Sequence, residues 1–436
     1  MNDQDFSLIP RPSHELMVQR AGQSRILGEM VESSLALARE AAPANIDLDA
    51  LVREGKRIRS RKGKRLEDLR AFKLFYQAAT AGHGEAQYLV SECYRFGRGA
   101  KRDQAQALIW LQKAAESGFA EAQYDRGLSY YHGQRVPQDY VQAVKWFRKA
   151  AERGHADAQH ILGCCYSDGS GVQHDDHESL NWCRKAAEQG VSDAQNNLGV
   201  RYHNGRGVPQ DYVEALKWLR KAAEQGVSVA QLNVAICYQD GLGVPRDYPE
   251  AAKWCRRAAE QGNANAQNSL GLCYHYGRGM PRDYTEAIKW YHKAERQGDA
   301  AARTNLGICY YHGHGVLQNY EEAVKRFRLA AEKGSANAQN NLGICYQHGQ
   351  GVSKHILEAY KWFQLAADQG QAEAKKDAAR LAPLLSPVEL ETAQQLCREF
   401  KSKQSSRLSG VLGAPSGNVL KSGHYEEAST LDDTTP

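Results

Sequence analysis

The sequence has no run of eighteen apolar residues among its 436, so we expect no membrane span. Its first residues, MNDQDFSLIPRPSHEL, lack the basic and then apolar pattern of a secretory signal. The ten cysteines are too dilute for a small disulfide framework. These absences predict a cytoplasmic protein whose cysteines are reduced thiols.

The short motifs that mark many catalytic centres are also lacking. The chain has no G-x-S-x-G, no P-loop, no glycine-rich dinucleotide turn, no C-x-x-C and no H-E-x-x-H. A zinc site needs three or four convergent ligands, whereas each of three close pairs supplies two: His312 with His314, His174 with His177, and His160 with Cys164. The sequence therefore predicts no catalytic residue, no metal and no cofactor.

Basic and acidic residues nearly balance along the chain, except in one basic segment. The 56 basic and 51 acidic residues leave a net charge of +5, and residues 53–65, REGKRIRSRKGKR, alone carry eight basic residues and one acid. A groove that binds nucleic acid needs an extended basic stripe, so we expect no nucleic acid along the rest of the chain. The basic segment could contact nucleic acid, an acidic partner or anionic lipid, or it could be a solvated face.

What the sequence has is repetition. The dipeptide Ala-Gln recurs at spacings of 36 residues or a multiple of 36, at Ala86, Ala122, Ala158, Ala194, Ala230, Ala266 and Ala338. Ala302 and Ala374 keep the frame without the glutamine, so eight complete units fill residues 86–373. A fixed period of this length is typical of a solenoid built from one supersecondary unit.

Each unit predicts two helices. In the unit that begins at Ala194, Leu198 and Tyr202 lie four residues apart on one helical face. Gly199 between them permits close approach of another backbone, and Gly205 is expected to end the first helix in a left-handed conformation.

The second helix is predicted from about residue 211 to 225. Asp211 and Glu214 have the spacing of a capping box, and Gly226 follows the expected helix end. Its buried stripe is Ala215, Trp218, Ala222 and Ala223. All seven tryptophans of the chain share one register: Trp110, Trp146, Trp182, Trp218, Trp254, Trp290 and Trp362.

These residues resemble the Sel-one-like repeat family, relatives of the tetratricopeptide repeats. The family pattern, roughly A-Q-x-x-L-G-x-x-Y-x-x-G-x-G-V-x-x-D-x-x-x-A-x-x-W-x-x-K-A-A-x-x-G, is nearly literal in each unit. The resemblance implies an all-α fold, a superhelical solenoid of antiparallel helix pairs. It also implies a non-enzymatic scaffold or adaptor that binds a protein or peptide on its concave face.

Two other functions stay open. The chain could be a regulatory or accessory domain of an enzyme system. It could also be a hydrolase, as some disulfide-rich bacterial relatives are labelled, although alanine stands where those relatives have a cysteine in the second helix.

The resemblance and the repeat frame together predict the domain organisation. Subtracting one period indicates a degenerate capping unit in which Leu74 replaces the tryptophan and Ile58 the tyrosine. We expect an N-terminal segment at 1–49, partly disordered with an amphipathic helix at 26–41, the capping unit at 50–85, the repeats at 86–373, capping helices at 374–400 and a disordered tail at 401–436.

Three positions depart from the pattern. Arg135 replaces the second glycine of the loop, Arg326 replaces the tryptophan, and Glu295 replaces the second alanine of the K-A-A segment. Repeats tolerate local change, so we expect these substitutions to be neutral.

The candidate binding residues are asparagines of the first helices. Four units carry one at the same position: Asn197, Asn233, Asn305 and Asn341. In the related tetratricopeptide architecture, the corresponding asparagine often holds the backbone of a bound peptide, and an amide both donates and accepts. We expect the neighbouring residues to share this lining: Asn196, Asn268 and Asn340. The alternatives are a solvated position or a hydrogen bond within the unit.

Six of the ten cysteines share the position before the repeated tyrosine: Cys93, Cys165, Cys237, Cys273, Cys309 and Cys345. A shared register indicates a shared small slot, in which free cysteine behaves as a small hydrophobe. We therefore expect the purified protein to have the same melting temperature with and without reductant. A large fall on adding reductant would show that the cysteines are paired in disulfides.

Overall fold

The structure is a computed structural model that describes residues 47–60, 65–134, 136–409 and 420. Within these residues the regular elements are twenty α-helices and one short 3₁₀ helix, with no strand. The predicted all-α fold of helix pairs in consecutive repeats, an α-solenoid, is confirmed. The chain divides into two compact units, residues 1–185 and 186–436.

The first unit consists of consecutive helix pairs. Its helices are α1 (Leu48–Ser60), α2 (Arg65–Thr80), α3 (Gly84–Phe96), α4 (Gln104–Glu116), α5 (Ala120–His132), α6 (Tyr140–Glu152), α7 (Ala156–Asp168) and most of α8 (Asp176–Glu188).

The second unit continues the same pattern. Its helices are α9 (Ser192–Asn204), α10 (Tyr212–Glu224), α11 (Ser228–Asp240), α12 (Tyr248–Glu260), α13 (Ala264–Tyr276), α14 (Tyr284–Arg296), α15 (Ala300–His312), α16 (Tyr320–Ala331), α17 (Ala336–His348), α18 (Ile356–Ala367), α19 (Ala372–Leu381), the 3₁₀ helix (Ala382–Leu384) and α20 (Pro387–Ser409). From α3 to α18, odd-numbered helices are the first helices of their repeats and even-numbered helices the second.

Glycines in the left-handed region end the first helices and follow the second. Gly205 has φ 67° and Gly226 has φ 94°, values at which a side chain would be strained. A third glycine is required by packing, because a Cβ on Gly199 would lie 2.7 Å from Cγ of Leu219 in the paired helix. The two helices of the repeat therefore touch at this point.

The predicted capping box is half formed. Asp211 accepts hydrogen bonds from the backbone N–H groups of Val213 and Glu214, at 2.9 and 3.0 Å. The Glu214 carboxylate instead accepts from the indole N–H of Trp218 at 3.0 Å. The reason is that the Asp211 N–H already donates to the carbonyl of Tyr202 at 2.9 Å, which closes the loop onto the first helix.

The repeated glutamine joins each repeat to the one before it. The Gln195 side chain donates to the carbonyl of Ala187 at 3.1 Å, near the C-terminal end of the preceding second helix. This carbonyl, at a helix end where the regular hydrogen-bond pattern stops, also accepts from the backbone N–H of Gly190 at 3.1 Å. Seven such bonds span 3.0–3.2 Å, from Gln87, Gln123, Gln159, Gln195, Gln231, Gln267 and Gln339.

The last helix is longer than the sequence indicated. The capping helices were expected to end at residue 400, but α20 continues to Ser409. Lys401 forms an ion pair with Asp368 at 2.7 Å, and Gln404 donates to the carbonyl of Glu332 at 3.4 Å, so the added turns are held against earlier repeats. The start of the predicted tail moves accordingly.

Several predictions fall outside the described residues. They concern the amphipathic helix at 26–41, Arg135, residues 61–64 of the basic segment, and the tail at 410–419 and 421–436. In the described part of the basic segment, Arg57 pairs with Glu54 at 2.7 Å and Arg53 with Asp47 at 3.1 Å, both on the surface.

Trp218 is the largest side chain of its repeat and is buried. Nζ of Lys221 lies 4.0 Å from its ring centroid, and its indole N–H donates to Glu214. Trp218→Ala should lower the free energy of unfolding by about 3–5 kcal/mol, as other large core truncations do. Hydrogen exchange should show the loss in this repeat and its neighbours, because repeats contact mainly their neighbours. The control is Lys217→Ala on the exposed side of α10, which should change stability by less than about 0.5 kcal/mol. A uniform loss of protection along the chain would contradict the prediction.

Candidate functional site

The predicted binding asparagines of the second unit lie in the first helices and are mostly buried. Asn233 and Asn341 are fully buried, Asn305 is 4% exposed, and Asn197 is half-buried. The three neighbours expected to share the lining are buried as well: Asn196, Asn268 and Asn340. We call these seven residues the asparagine ladder. Apart from Asn197, these residues do not occupy solvated positions.

Two hydrogen bonds of the asparagine ladder cross from one repeat to the next. The Nδ2–H of Asn233 donates to Oδ1 of Asn196 at 2.9 Å, and the Nδ2–H of Asn305 donates to Oδ1 of Asn268 at 2.9 Å. Each pair is 37 residues apart, one repeat and one further position. The bonds therefore fix the orientation of each donating amide, and its oxygen is left to accept from another group.

The oxygen of Asn233 accepts from the backbone. The N–H of Leu420 donates to Oδ1 of Asn233 at 2.8 Å. Leu420 is 4% exposed and belongs to the buried apolar cluster that contains Leu232, Ile236 and Trp254. A backbone amide held by this asparagine, with a leucine side chain in an apolar cluster, is the kind of contact that the sequence predicted for a bound peptide.

Another oxygen of the asparagine ladder differs from that of Asn233 in its hydrogen bonding. Among the described residues, Oδ1 of Asn340 is buried and has no hydrogen-bond partner. The position one repeat and one residue beyond Asn340 is Asp377, whose side chain pairs with Arg380 and carries no amide N–H. The inter-repeat bond made by the earlier asparagines therefore has no donor there.

In the first unit, other side chains occupy the repeat positions of the asparagine ladder. Tyr88 donates from its hydroxyl to Asp125 at 3.2 Å, again 37 residues apart. Burial raises the pKa of the Asp125 carboxyl, against the opposing effects of the Tyr88 hydrogen bond and the Arg95 charge. The ring of Tyr124 stacks on that of His155 at 4.5 Å. An amide ladder is thus a property of the second unit, while aromatic and acidic groups line the first.

Two departures that were expected to be neutral are bonded to each other. Arg326 donates from Nη1 to both carboxylate oxygens of Glu295, at 2.7 and 2.6 Å. Arg303, which stands in place of the repeated glutamine, donates to the same carboxylate at 3.2 Å. All three side chains are 14–17% exposed. An ion-pair cluster therefore replaces the usual tryptophan and glutamine contacts at these positions. The neutrality of these substitutions stays a prediction.

The charge of this cluster sets the protonation of its carboxylate. Burial alone raises the pKa of Glu295, but the hydrogen bonds and charge of Arg326 and the hydrogen bond from Arg303 outweigh burial. The pKa is consequently lowered from its ordinary value of 4.5, and the carboxylate is charged at neutral pH.

The cysteines are free thiols, and nine of the ten are buried. Burial raises the pKa to about 12 for five of those in the repeated position: Cys93, Cys165, Cys237, Cys309 and Cys345. A thiol with so high a pKa is protonated at neutral pH and is a poor nucleophile. These groups pack as small apolar side chains.

The described residues contain neither a candidate metal site nor a candidate membrane span. No group of three or more His, Cys, Asp or Glu side chains in this part of the chain could hold a metal ion. No helix within it is both long and apolar enough to cross a membrane.

Leu420 is the site residue that the sequence did not indicate. It was assigned to the tail because its surroundings, SGNVLKSG, are rich in small and polar residues. The signal that could have singled it out is the apolar pair Val419 and Leu420 within that polar stretch.

Comparison with known proteins confirms the resemblance drawn from the repeat pattern. The model for the Sel1 repeat matches nine segments: 64–83, 84–119, 120–155, 156–191, 192–227, 228–263, 264–299, 300–335 and 336–371. A Sel1 repeat protein from Oxalobacter formigenes is 29% identical, with a TM-score of 0.53, over 79% of this chain and 99% of that chain. The protective antigen c5321 of uropathogenic Escherichia coli, which displays an SLR fold, is 28% identical over 92% of this chain and 99% of its own, with a TM-score of 0.48. The comparison with curated proteins gave no match.

The ion-pair cluster should stabilise the fold in a pH-dependent way. In a double-mutant cycle of Glu295→Ala and Arg326→Ala, denaturant unfolding at pH 7 should give a coupling free energy of about 1–3 kcal/mol. Because the pKa of Glu295 is lowered in the folded state, this contribution is present above about pH 4.5 and is lost as the pH falls through the lowered value.

The matched control for this cycle is the exposed pair of Lys289 and Glu286, 2.6 Å apart, whose coupling should stay below about 0.5 kcal/mol. A coupling between Glu295 and Arg326 no larger than that of the control would contradict the assigned role.

Proposed function

The chain belongs to the Sel1 repeat family, whose solenoids are commonly protein-interaction scaffolds, and we propose that it is a non-enzymatic scaffold of this kind. The binding surface is the first-helix face of the second unit, which consists of the asparagine ladder and the apolar side chains beside it. The repeat resemblance predicts that this face is concave. Its ligand is an extended segment of a partner protein.

The observation that carries the proposal is the hydrogen bond from the Leu420 N–H to Asn233. An amide oxygen that accepts from a backbone N–H binds any extended segment, whatever its side chains. Asn233 is suited to this because its Nδ2–H is already committed to Asn196 at 2.9 Å, so the amide does not have to be ordered when a ligand arrives. Affinity thus comes from the backbone and selectivity from the apolar cluster.

The repetition of this geometry supports a ligand that spans more than one repeat. Asn305 is held by Asn268 in the way that Asn233 is held by Asn196. Asn341 lies one repeat further, and Asn197 is the half-buried member at the other end. In the proposal, Asn197, Asn233, Asn305 and Asn341 contact the ligand, and Asn196, Asn268 and Asn340 are positioning residues.

The basic segment is not part of this surface, and the proposal does not include the enzyme alternatives. Those side chains of the basic segment that the structure describes lie in the first unit, where Lys56 pairs with Glu85 and Arg57 with Glu54. An enzyme could be the partner that carries the bound segment, in which case the chain would act as its accessory scaffold. A chemical step in this chain itself has no observation in its favour among the described residues.

The test uses two double variants of the full chain. A partner is first identified by affinity purification and mass spectrometry, and is then titrated by calorimetry. Asn233→Ala with Asn305→Ala removes two acceptor oxygens and should weaken binding about tenfold or more, since each hydrogen bond contributes about 0.5–1.5 kcal/mol.

The matched control is Asn196→Ala with Asn268→Ala. It breaks the same two inter-repeat bonds from the opposite side, so its cost in stability should be similar, but it leaves both acceptor oxygens in place. Because it removes only the groups that position those oxygens, we expect it to weaken binding by a smaller factor than the first double variant does. Equal affinities for the two folded double variants would show that the binding site lies elsewhere.

A further inference from the structure

One residue of the C-terminal tail occupies the proposed binding face. Leu420 is 187 residues from Asn233 in sequence, yet its N–H donates to the Asn233 oxygen at 2.8 Å. We propose that the segment carrying Leu420 is an internal ligand of this face, and that an external segment binds only by displacing it. The inference rests on the proposed function, since it assigns a mode of regulation to the same surface.

Leu420 contacts the face through a backbone hydrogen bond and through its apolar side chain. The acceptor, Asn233, is fully buried, and its amide is held by Asn196 at 2.9 Å. The donor residue is 4% exposed, and its side chain belongs to the cluster with Ile236 and Trp254. The backbone N–H of Leu420 therefore supplies a donor to a buried amide oxygen, while its side chain packs against apolar neighbours.

Leu420 packs at α11, a helix that is buried along most of its length. All residues from 230 to 239 are buried in this helix. In α9, the first helix of the repeat before it, Asn197 and Val200 stay half-exposed. Leu420 belongs to the buried cluster that α11 contributes to, and α9 has only Val200 packed at its margin. The contact made by Leu420 is therefore with the repeat that contains Asn233.

The tether makes this contact effective. Leu420 follows the end of α20, at Ser409, by eleven residues, so the two lie at most about 40 Å apart. Covalent attachment over such a distance gives an effective concentration of the order of 1 mM. An internal segment with a Kd of about 100 μM would then occupy roughly nine-tenths of the face and would weaken a competitor about tenfold.

The experiment measures competition in the full-length protein. The probe is a fluorescein-labelled peptide of residues 412–428, titrated by fluorescence anisotropy against the wild type and against Leu420→Asp. The aspartate places a charge where the leucine packs, so the face should open and the peptide should bind about tenfold more tightly than to the wild type. Leu420→Ala should change affinity in the same direction by a smaller factor. Melting temperatures verify that both variants are folded.

Two controls separate the contact from general effects of the tail. Leu431→Asp makes the same substitution elsewhere in the tail and should leave peptide affinity at the wild-type value. A peptide methylated on the backbone nitrogen of Leu420 lacks the donor, and it should bind the Leu420→Asp chain at least fivefold more weakly than the unmodified peptide. Equal peptide affinity for wild type and Leu420→Asp, or no binding to Leu420→Asp, would overturn the inference.

The outcome is distinguishable from failure of the proposed function. If an external partner binds wild type and Leu420→Asp equally but is weakened by Asn233→Ala with Asn305→Ala, the internal ligand is overturned and the scaffold function stands. If the peptide competes as expected while the partner is insensitive to the asparagine variants, the internal ligand stands and the partner binds at another surface.

Discussion

The hydrogen bond from the repeated glutamine to the preceding helix is the constraint on which the rest of the structure depends. In each of seven repeats it joins a first helix to the carbonyl of an alanine eight residues earlier, at 3.0–3.2 Å. Because this bond fixes the first helix against the previous repeat, it also sets the register of the two positions that follow the glutamine. The bond from Asn233 to Asn196, 37 residues away, follows from that register. The interaction that holds repeats together therefore also orients the amides proposed to bind a ligand.

Departures from the pattern show how closely these contacts depend on each other. Where Glu295 takes the place of an alanine, Arg303 takes the place of the glutamine and Arg326 that of the tryptophan, and the three side chains are bonded together. Where Ala235 takes the place of the repeated glycine, the residue in the facing register is the small Cys255, and both lie in one buried cluster. At these two places, exchange at one position of a repeat accompanies exchange at the positions it touches.

The sequence was sufficient to predict the fold and to single out the asparagines, but not their bonding. Glycines such as Gly205 and Gly226 end helices through their own backbone, so local sequence is enough to predict them. The pairing of Asn233 with Asn196 depends on the stagger between neighbouring helices, which a period of 36 does not contain. The position of Leu420 could not be predicted at all, because it results from a contact across 187 residues rather than from a local pattern.

The central claim is that the first-helix face holds the backbone of an extended segment through Asn233. Hydrogen exchange of the Leu420 amide in the full-length protein, followed by NMR, tests it most directly. With an internal Kd of about 100 μM, the face is about nine-tenths occupied, and the Leu420 N–H should exchange about tenfold more slowly than an unprotected amide. The protection should disappear in Asn233→Ala while the amides of α13 and α15 keep theirs. Exchange of Leu420 at the unprotected rate in the wild type would contradict the account.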